Sequence, residues 1–369
     1  MFQIFILNTF MLYYLNMITI YDLAKMTGFS PPTVSKALNG TGTISKKTRN
    51  LIIAAAREKG YEPNITARTL RTRRSKLIGI INNDLYKPYH YVPPFLSTVL
   101  SSFKEVIEKE GYNLLLLSNP AEMKQKESSF IGNSRLIDGI LILTMKPGQK
   151  ELSWIRKYDK PCVSVNDYFP GIGIVVTDNR KGGRIAVQHL IDLGHRNIAY
   201  LSGPVSRVSL AAKERQQGYH DTLKKNGIKI NPALEVRSDT WHARGGYKAC
   251  AELLKRRVQF TALFTANNYM AFGAIKNMTE SGIKVPRDVS VIGFDDGDSL
   301  EEYITPSLST MWQDAVQIGS MGADMLLRKL KGLSTKKTIH IPAELVQRES
   351  TKSPKLPHNT SAVFLMQRW

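Results

Sequence analysis

Ser30, Pro31, Pro32, Thr33, Ser35 and Lys36 stand together within ITIYDLAKMTGFSPPTVSKALNG, residues 18–40. Ser30 can cap a helix by accepting from its free backbone N–H groups. Pro31 then falls at the first helical position, where its missing N–H costs nothing. Val34, Ala37 and Leu38 form the inward stripe of that helix at i, i+3, i+4 spacing. Pro31, Pro32, Thr33, Ser35 and Lys36 are left facing outward at its N-terminal end. A preceding helix over about Ile20–Thr27 has Leu23, Ala24 and Met26 to pack inward, and Gly28 supplies the left-handed turn between the two. This is the layout of a helix-turn-helix, whose second helix enters the DNA major groove N-terminus first. A glycine turn between two short helices is common, so the motif alone does not carry the function.

Charge points the same way. The chain of 369 residues has a formal net charge of +20. Residues 17–76 hold 12 Lys and Arg against 3 acidic residues, a net +9, and residues 1–16 hold no charge. Such a concentration favours a phosphate-binding headpiece. Enzymatic chemistry finds no matching pattern. His90, His195, His220 and His242 lack metal-ligand spacing, and no Walker loop or GxSxG elbow occurs. Cys162 and Cys250 are isolated, which suggests a reducing cytoplasm without structural disulfides. No metal or cofactor is expected.

The elements that must position these residues can be read next. Ser45 caps a third helix from about Lys46 to Lys59, with Leu51, Ile52, Ala55 and Ala56 as its core face and Gly60 at its end. Pro63 opens a further short helix through Leu70 and Arg71, too short to be stable alone. It could order on a partner, with Arg68 and Arg71 near phosphates. Apolar runs at Leu77–Ile81, Leu114–Leu117, Gly139–Leu143, Cys162–Val165, Ile198–Leu201, Ala262–Phe264 and Val289–Ile292 look like buried parallel strands. Amphipathic segments such as Phe95–Lys109, Gly182–Leu193 and Met270–Ser281 alternate with them, which implies βαβ units.

TIYDLAKMTGFSPPTVSKALNG, GYEPNITARTL, Asp178-Asn179, HLIDLGHRNIAYLSG, ALFTANNYMAFGAIK, VPRDVSVIGFDD, LSTMWQDAVQIG and ELVQRES occur in order. Together they resemble the lactose-repressor/purine-repressor family of bacterial transcription regulators over roughly Met17–Thr351. The resemblance implies an all-α helix-turn-helix headpiece with a hinge helix. An α/β core of two Rossmann-like lobes follows, similar to periplasmic sugar-binding proteins. Its domains would be 17–62 (headpiece, motif 20–39), 63–76 (hinge helix and linker) and 77–351 (effector-binding and dimerisation core). It implies a dimeric, cytoplasmic, nucleoid-associated repressor of palindromic operator DNA, with a mono- or disaccharide effector and no membrane.

Site residues follow from the same resemblance. Thr19, Ser30, Pro31, Pro32, Thr33, Ser35, Lys36, Asn39, Asn64, Ala67 and Leu70 fall on DNA-contacting positions. Leu70 matches a wedge leucine that enters the minor groove and kinks the duplex. The family usually has Arg where Lys36 stands, and Lys cannot offer the same planar bidentate contact to guanine. Tyr86, Asn166, Arg215, Trp241, Asn267, Asp295 and Gln313 fall in the ligand set. Asn166, Asn267 and Asp295 each follow an apolar run, where open α/β sheets bind ligands. Asn166 replaces a usual Asp, and Asn268 replaces the Asp common beside Asn267, so a charged or basic effector is disfavoured. The loop Leu85–Phe95 is open to two readings, an aromatic lid or a surface insertion.

The ends and the alternatives complete the picture. Residues 1–16 are apolar without the basic start of a secretory signal, and fall short of the roughly 20 apolar residues of a span. Met17 is expected to be the true start, with a membrane-tethered regulator as the competing reading. Residues 352–369 form a C-terminal tail without a heptad repeat. A transport solute-binding protein would share the core but have no use for Ser30–Asn39. A carbon-catabolite regulator answering to a phosphoprotein is a variant within the family.

Overall fold

Thr19 begins the first helix of the computed structural model, which describes residues 18–61, 74–82, 93–117, 136–144, 160–204, 210–295, 297 and 300–354. The Thr19 hydroxyl accepts from the Asp22 N–H at 3.3 Å and the Asp22 carboxylate accepts from the Thr19 N–H at 2.9 Å. This reciprocal box opens α1, Ile20–Thr27. Gly28 ends it at φ +73, a conformation that strains any side chain. Ser30 caps α2, Pro31–Leu38, and Ser45 caps α3, Lys46–Glu58, by accepting from Thr33 and Thr48 N–H groups. Leu23, Ala24, Val34, Ala37, Ile52 and Ala56 make the shared core.

Three expected orientations differ. Met26 is 57% exposed and Leu51 is 48% exposed, because the stripe of each helix is narrower than its apolar content. Ser35, expected outward, is buried. It follows Val34 at the edge of the stripe, and its small side chain fits beneath Asn39, whose amide donates to the Ser35 carbonyl at 2.6 Å.

The chain divides into two compact units, residues 1–75 and 76–369. The second contains two six-stranded sheets. The first lobe has β1 (Leu77–Asn82), β2 (Asn113–Leu116), β3 (Gly139–Thr144), β4 (Cys162–Ser164), β5 (Gly173–Thr177) and β11 (Thr338–Ile341). Its order is β11-β5-β4-β3-β1-β2, all parallel. α4 (Pro94–Lys109) and α10 (Ala315–Leu330) pack together on it.

The second lobe has β6 (Ile198–Ser202), β7 (Glu235–Arg237), β8 (Ala262–Thr265), β9 (Ser290–Phe294), β10 (Ser309–Gln313) and β12 (Ala343–Val346). Its order is β12-β10-β9-β8-β6-β7, with β12 alone antiparallel. α5 (Asn179–Asp192) packs on α6 (Ala211–Lys225), and α7 (Ala243–Lys255) on α8 (Asn268–Glu280). A short α9, Leu300–Tyr303, follows β9.

The chain passes between lobes three times: at Asp178 between β5 and α5, at Asp314 between β10 and α10, and at Pro342 between β11 and β12. Asp178 and Asp314 are built alike. Each has φ near −70 and ψ near 80, and each caps the helix it enters. All seven expected strands are present to within a residue or two at their ends. β5, β7, β10, β11 and β12 were not anticipated. The expected hinge helix and the 1–16 segment lie outside the described residues. Among the described residues, no helix is long and apolar enough to cross a membrane.

Candidate DNA-reading helix and ligand cluster

Two parts of the head carry the candidate DNA contacts. The first is the start of α2. Ser30, Pro32, Lys36 and Asn39 are exposed, and Pro31 and Thr33 are half-buried. The Ser30 and Thr33 hydroxyls lie 2.9 Å apart. The Lys36 stem lies over Gly42, where an added Cβ would meet its Cδ at 3.1 Å. The second is the start of α1, where Thr19 is exposed beside Tyr21, itself 72% exposed. Sequence reasoning passed over Tyr21. Its signal was an aromatic outside the Leu23–Ala24 stripe of a short amphipathic helix. Asn64, Ala67 and Leu70 lie outside the described residues.

In the core, the sequence-derived residues Arg215, Asp295 and Gln313 form one cluster. α5 and α6 meet at Gly183, where an added Cβ would come within 2.6 Å of the Arg215 carbonyl. That close approach sets Arg215 deep, 4% exposed. Its Nε donates to Asn179 Oδ1 at 2.8 Å and its Nη1 to the Ala266 carbonyl at 2.5 Å. Nη2 reaches Gln313 Oε1 and Asp295 Oδ1, both at 3.4 Å. The guanidinium lies 3.6 Å over the Phe294 ring. Gln313 donates to Asp295 Oδ1 and accepts from the Thr177 hydroxyl at 2.5 Å.

Thr177 and Gln313 each sit at a crossing between lobes, so the cluster ties two crossings to one arginine. The Asp178 N–H donates to the Ile341 carbonyl at 2.8 Å, which brings in the third. Burial pushes the Asp295 carboxyl up to about 6, opposed by Arg215. Burial likewise pulls Arg215 below its ordinary range, with Asp295 opposing. An ion pair with its arginine buried and its carboxylate half-buried is held by the bonds around it.

Asn267 and Trp241 form a second pair. Asn267 Oδ1 caps α8 by accepting from the Met270 N–H, and its Nδ2 donates to the Trp241 carbonyl, both at 2.9 Å. The Trp241 ring covers Gly203 at the end of β6, where an added Cβ would meet it at 2.5 Å. Asn166 follows β4 in the other lobe, half-buried, at φ +130. No hydrogen bond of the Arg215 cluster involves it. Tyr86 lies outside the described residues. Thr177 and Asn179, which hold Arg215 and Gln313, were not singled out as site residues. Asn179 lay in plain view in the Asp178-Asn179 pair.

Cys162 is a buried thiol pushed up to about 12, as its apolar strand predicts. No group of three or more His, Cys, Asp or Glu fit to hold a metal occurs among the described residues. A groove of about 820 Å³ opens in the second lobe by Arg196, Ile198, Leu223, Ile230 and Val258. Ile198 starts β6, Leu223 lies near the C-terminal end of α6, and Ile230 and Val258 lie in loops. Arg196 and Lys229 are its charged lining residues among those described.

Comparison with known proteins agrees with this division. Residues 19–64 match the model for bacterial regulatory proteins of the lacI family, and residues 187–351 match that of a periplasmic binding protein-like domain. The HTH-type transcriptional repressor PurR of Haemophilus influenzae (strain PittEE) is 31% identical over 345 residues, covering 91% of this chain and 99% of the relative. The lactose operon repressor of Escherichia coli (strain K12) is 33% identical over 343 residues, covering 91% of each. A lac repressor dimer bound to operator and the anti-inducer ONPF superposes with a TM-score of 0.77 at 29% identity, covering 91% of this chain and 99% of that one. A complex of the transcriptional regulator CelR with cellobiose gives 0.68 at 26% identity, covering 90% and 100%.

Proposed function

This chain belongs to the lacI family of bacterial regulatory proteins, and from that premise we propose how it reads DNA and senses a ligand. It is a DNA-binding transcription regulator with a ligand-binding core. In our reading it is a homodimer that represses from a palindromic operator in the cytoplasm, on nucleoid DNA. The N-terminal end of α2 enters the major groove, with Thr33 and Lys36 toward base edges and phosphates. The paired prolines give apolar contact to thymine methyls. Leu70 wedges into the minor groove.

The effector is a mono- or disaccharide bound between the lobes. The observation that supports it is the Arg215–Asp295–Gln313 cluster at the lobe crossings. One guanidinium, one carboxylate and one amide offer donors and acceptors with no net charge, which suits a neutral polyol. Ligand hydroxyls would exchange for bonds the cluster makes to itself, so only a matched set of hydroxyls gains from entry. Asn166 and Trp241 would face the ligand from the two lobes.

Mobility shift with operators selected from random palindromes, read with ribose, lactose and cellobiose, tests this. A sugar-dependent change in operator affinity is the expected result. Operator binding that no sugar in a broad panel alters would overturn the sensing part. Failure to select any palindrome would overturn the reading of α2.

A further inference from the structure

Glu301, in α9, is 2% exposed, and a carboxylate so deep needs partners to offset its lost hydration. One is Asn268, the first residue of α8 and itself 1% exposed. Asn268 Nδ2 donates to Glu301 Oε1 at 2.5 Å. The same Nδ2 donates to the backbone carbonyl of Asp295. Asn268 Oδ1 accepts from the Thr310 hydroxyl of β10 at 2.7 Å. The Glu301 carbonyl accepts from the Leu308 N–H at 2.7 Å, which fixes the segment that carries it.

Asp295 needs such support. It holds φ +83, a left-handed backbone that a residue with a side chain keeps only when its surroundings over-determine it. Its N–H donates to the Met311 carbonyl at 3.0 Å, and its carbonyl is fixed by Asn268. β9 also packs tightly on the Asn268 amide, for a Cβ at Gly293 would meet its Oδ1 at 2.1 Å.

We infer that Asn268 and Glu301 are a positioning pair for Asp295, and that their identities are linked. The pair sets the backbone from which the Asp295 carboxylate reaches Arg215 and, on the reading of that cluster as the effector site, the ligand. An amide at 268 can donate to both Glu301 and the Asp295 carbonyl while it accepts from Thr310. An aspartate at 268 would keep the shape but lose both donations and set two carboxylates together.

Four full-length chains test the pair: wild type, Asn268→Asp, Glu301→Gln, and the double variant. Asn268→Asp is expected to lower Tm by about 5 °C or more, because it sets two buried like charges together. Glu301→Gln should cost far less, since its amide oxygen still accepts. The double variant should recover at least half the loss, because a glutamine amide then donates to the aspartate.

Positioning is read separately, by the Asp295 carboxyl titration followed by 13C NMR, with Arg215 the charged group facing it. The titration should move by about half a unit or more in both Asn268→Asp and the double variant. Neither can donate to the Asp295 carbonyl, whatever its stability. If Asn268→Asp does not fold, Asn268→Ala carries the same titration test. A double variant no more stable than Asn268→Asp would remove the pair. An Asp295 titration unchanged across the series would remove its positioning role. Neither readout uses a sugar, so a wild-type chain that binds none of the panel would fault the effector reading and leave this one standing.

Discussion

Arg215 donates from all three guanidinium nitrogens, to Asn179, Ala266, Gln313 and Asp295. Arg215→Ala removes the group that the ligand reading depends on most, and it leaves the Asp295 carboxylate in a half-buried site without its counter-charge. Calorimetry on this variant should show no sugar binding, while mobility shift retains operator binding with no sugar response. Normal sugar binding would place the effector elsewhere. Asp295 adds a pH signature. Its carboxyl is pushed up to about 6 by burial, so it takes a proton as pH falls through that value. Sugar affinity should hold steady above about pH 7 and fall below about 6, and Asp295→Asn should flatten the profile. The folding linkage has its own sign. A carboxyl raised from its ordinary 3.8 binds its proton more tightly in the native state. Its contribution to stability is therefore present in acid and lost as pH rises from about 4 to about 6. Thr19 and Ser30 show the other side of single-residue reasoning. Both are candidate DNA contacts, yet each has a capping role that accounts for its presence in a helix start without DNA.

The head turns on short elements that are stable only together, since eight-residue helices are marginal alone. Gly28 is their pivot. An added Cβ there meets nothing within 4 Å, so Gly28→Ala is penalised through backbone conformation alone, by about 1–2 kcal/mol at φ +73. Operator affinity should fall, and hydrogen exchange in α1 and α2 should speed up, while the core's exchange stays unchanged. Equal acceleration in the core would show the two units to be one cooperative fold. These helices were legible because caps and stripe agree: Ser30, Pro31 and Val34 each say where α2 starts and which way it faces. Met26 and Leu51 misled because apolar character was read as burial, and Ser35 misled in reverse. In the core, strands buried on both faces, such as β1 and β3, announced themselves as apolar runs. β11 and β12 did not, being edge strands of mixed polarity, TIHI and AELV. The Arg215 cluster is hardest to see from local pattern. Arg215, Asp295 and Gln313 are scattered across the chain and converge only through topology, so resemblance found them where spacing could not. Resemblance marked Asn268 only for the acid it replaces and not for its bond to Glu301, and Glu301 escaped both.

Across the whole molecule, a ligand can act on operator binding only through whatever differs between the states it selects. The lobe crossings are the natural place, because three chain segments pass there and are bonded to one another. Thr177 ends one crossing strand and donates to Gln313, which ends another and contacts both Arg215 and Asp295. Thr177→Val keeps the shape and removes that one donation. The quantity to measure is the ratio of operator affinities with and without saturating sugar. It must equal the ratio of sugar affinities with and without operator, because linkage is reciprocal. Couplings of this kind are typically about 5–150-fold. In Thr177→Val the ratio should shrink toward one by at least about threefold, with operator affinity of the sugar-free chain changed much less. An unchanged ratio would mean that the signal bypasses the bond between the first two crossings. The pairing of Asp178 with Ile341 at the third would then be the next to remove, for instance with a proline at 178, which deletes the N–H that makes it.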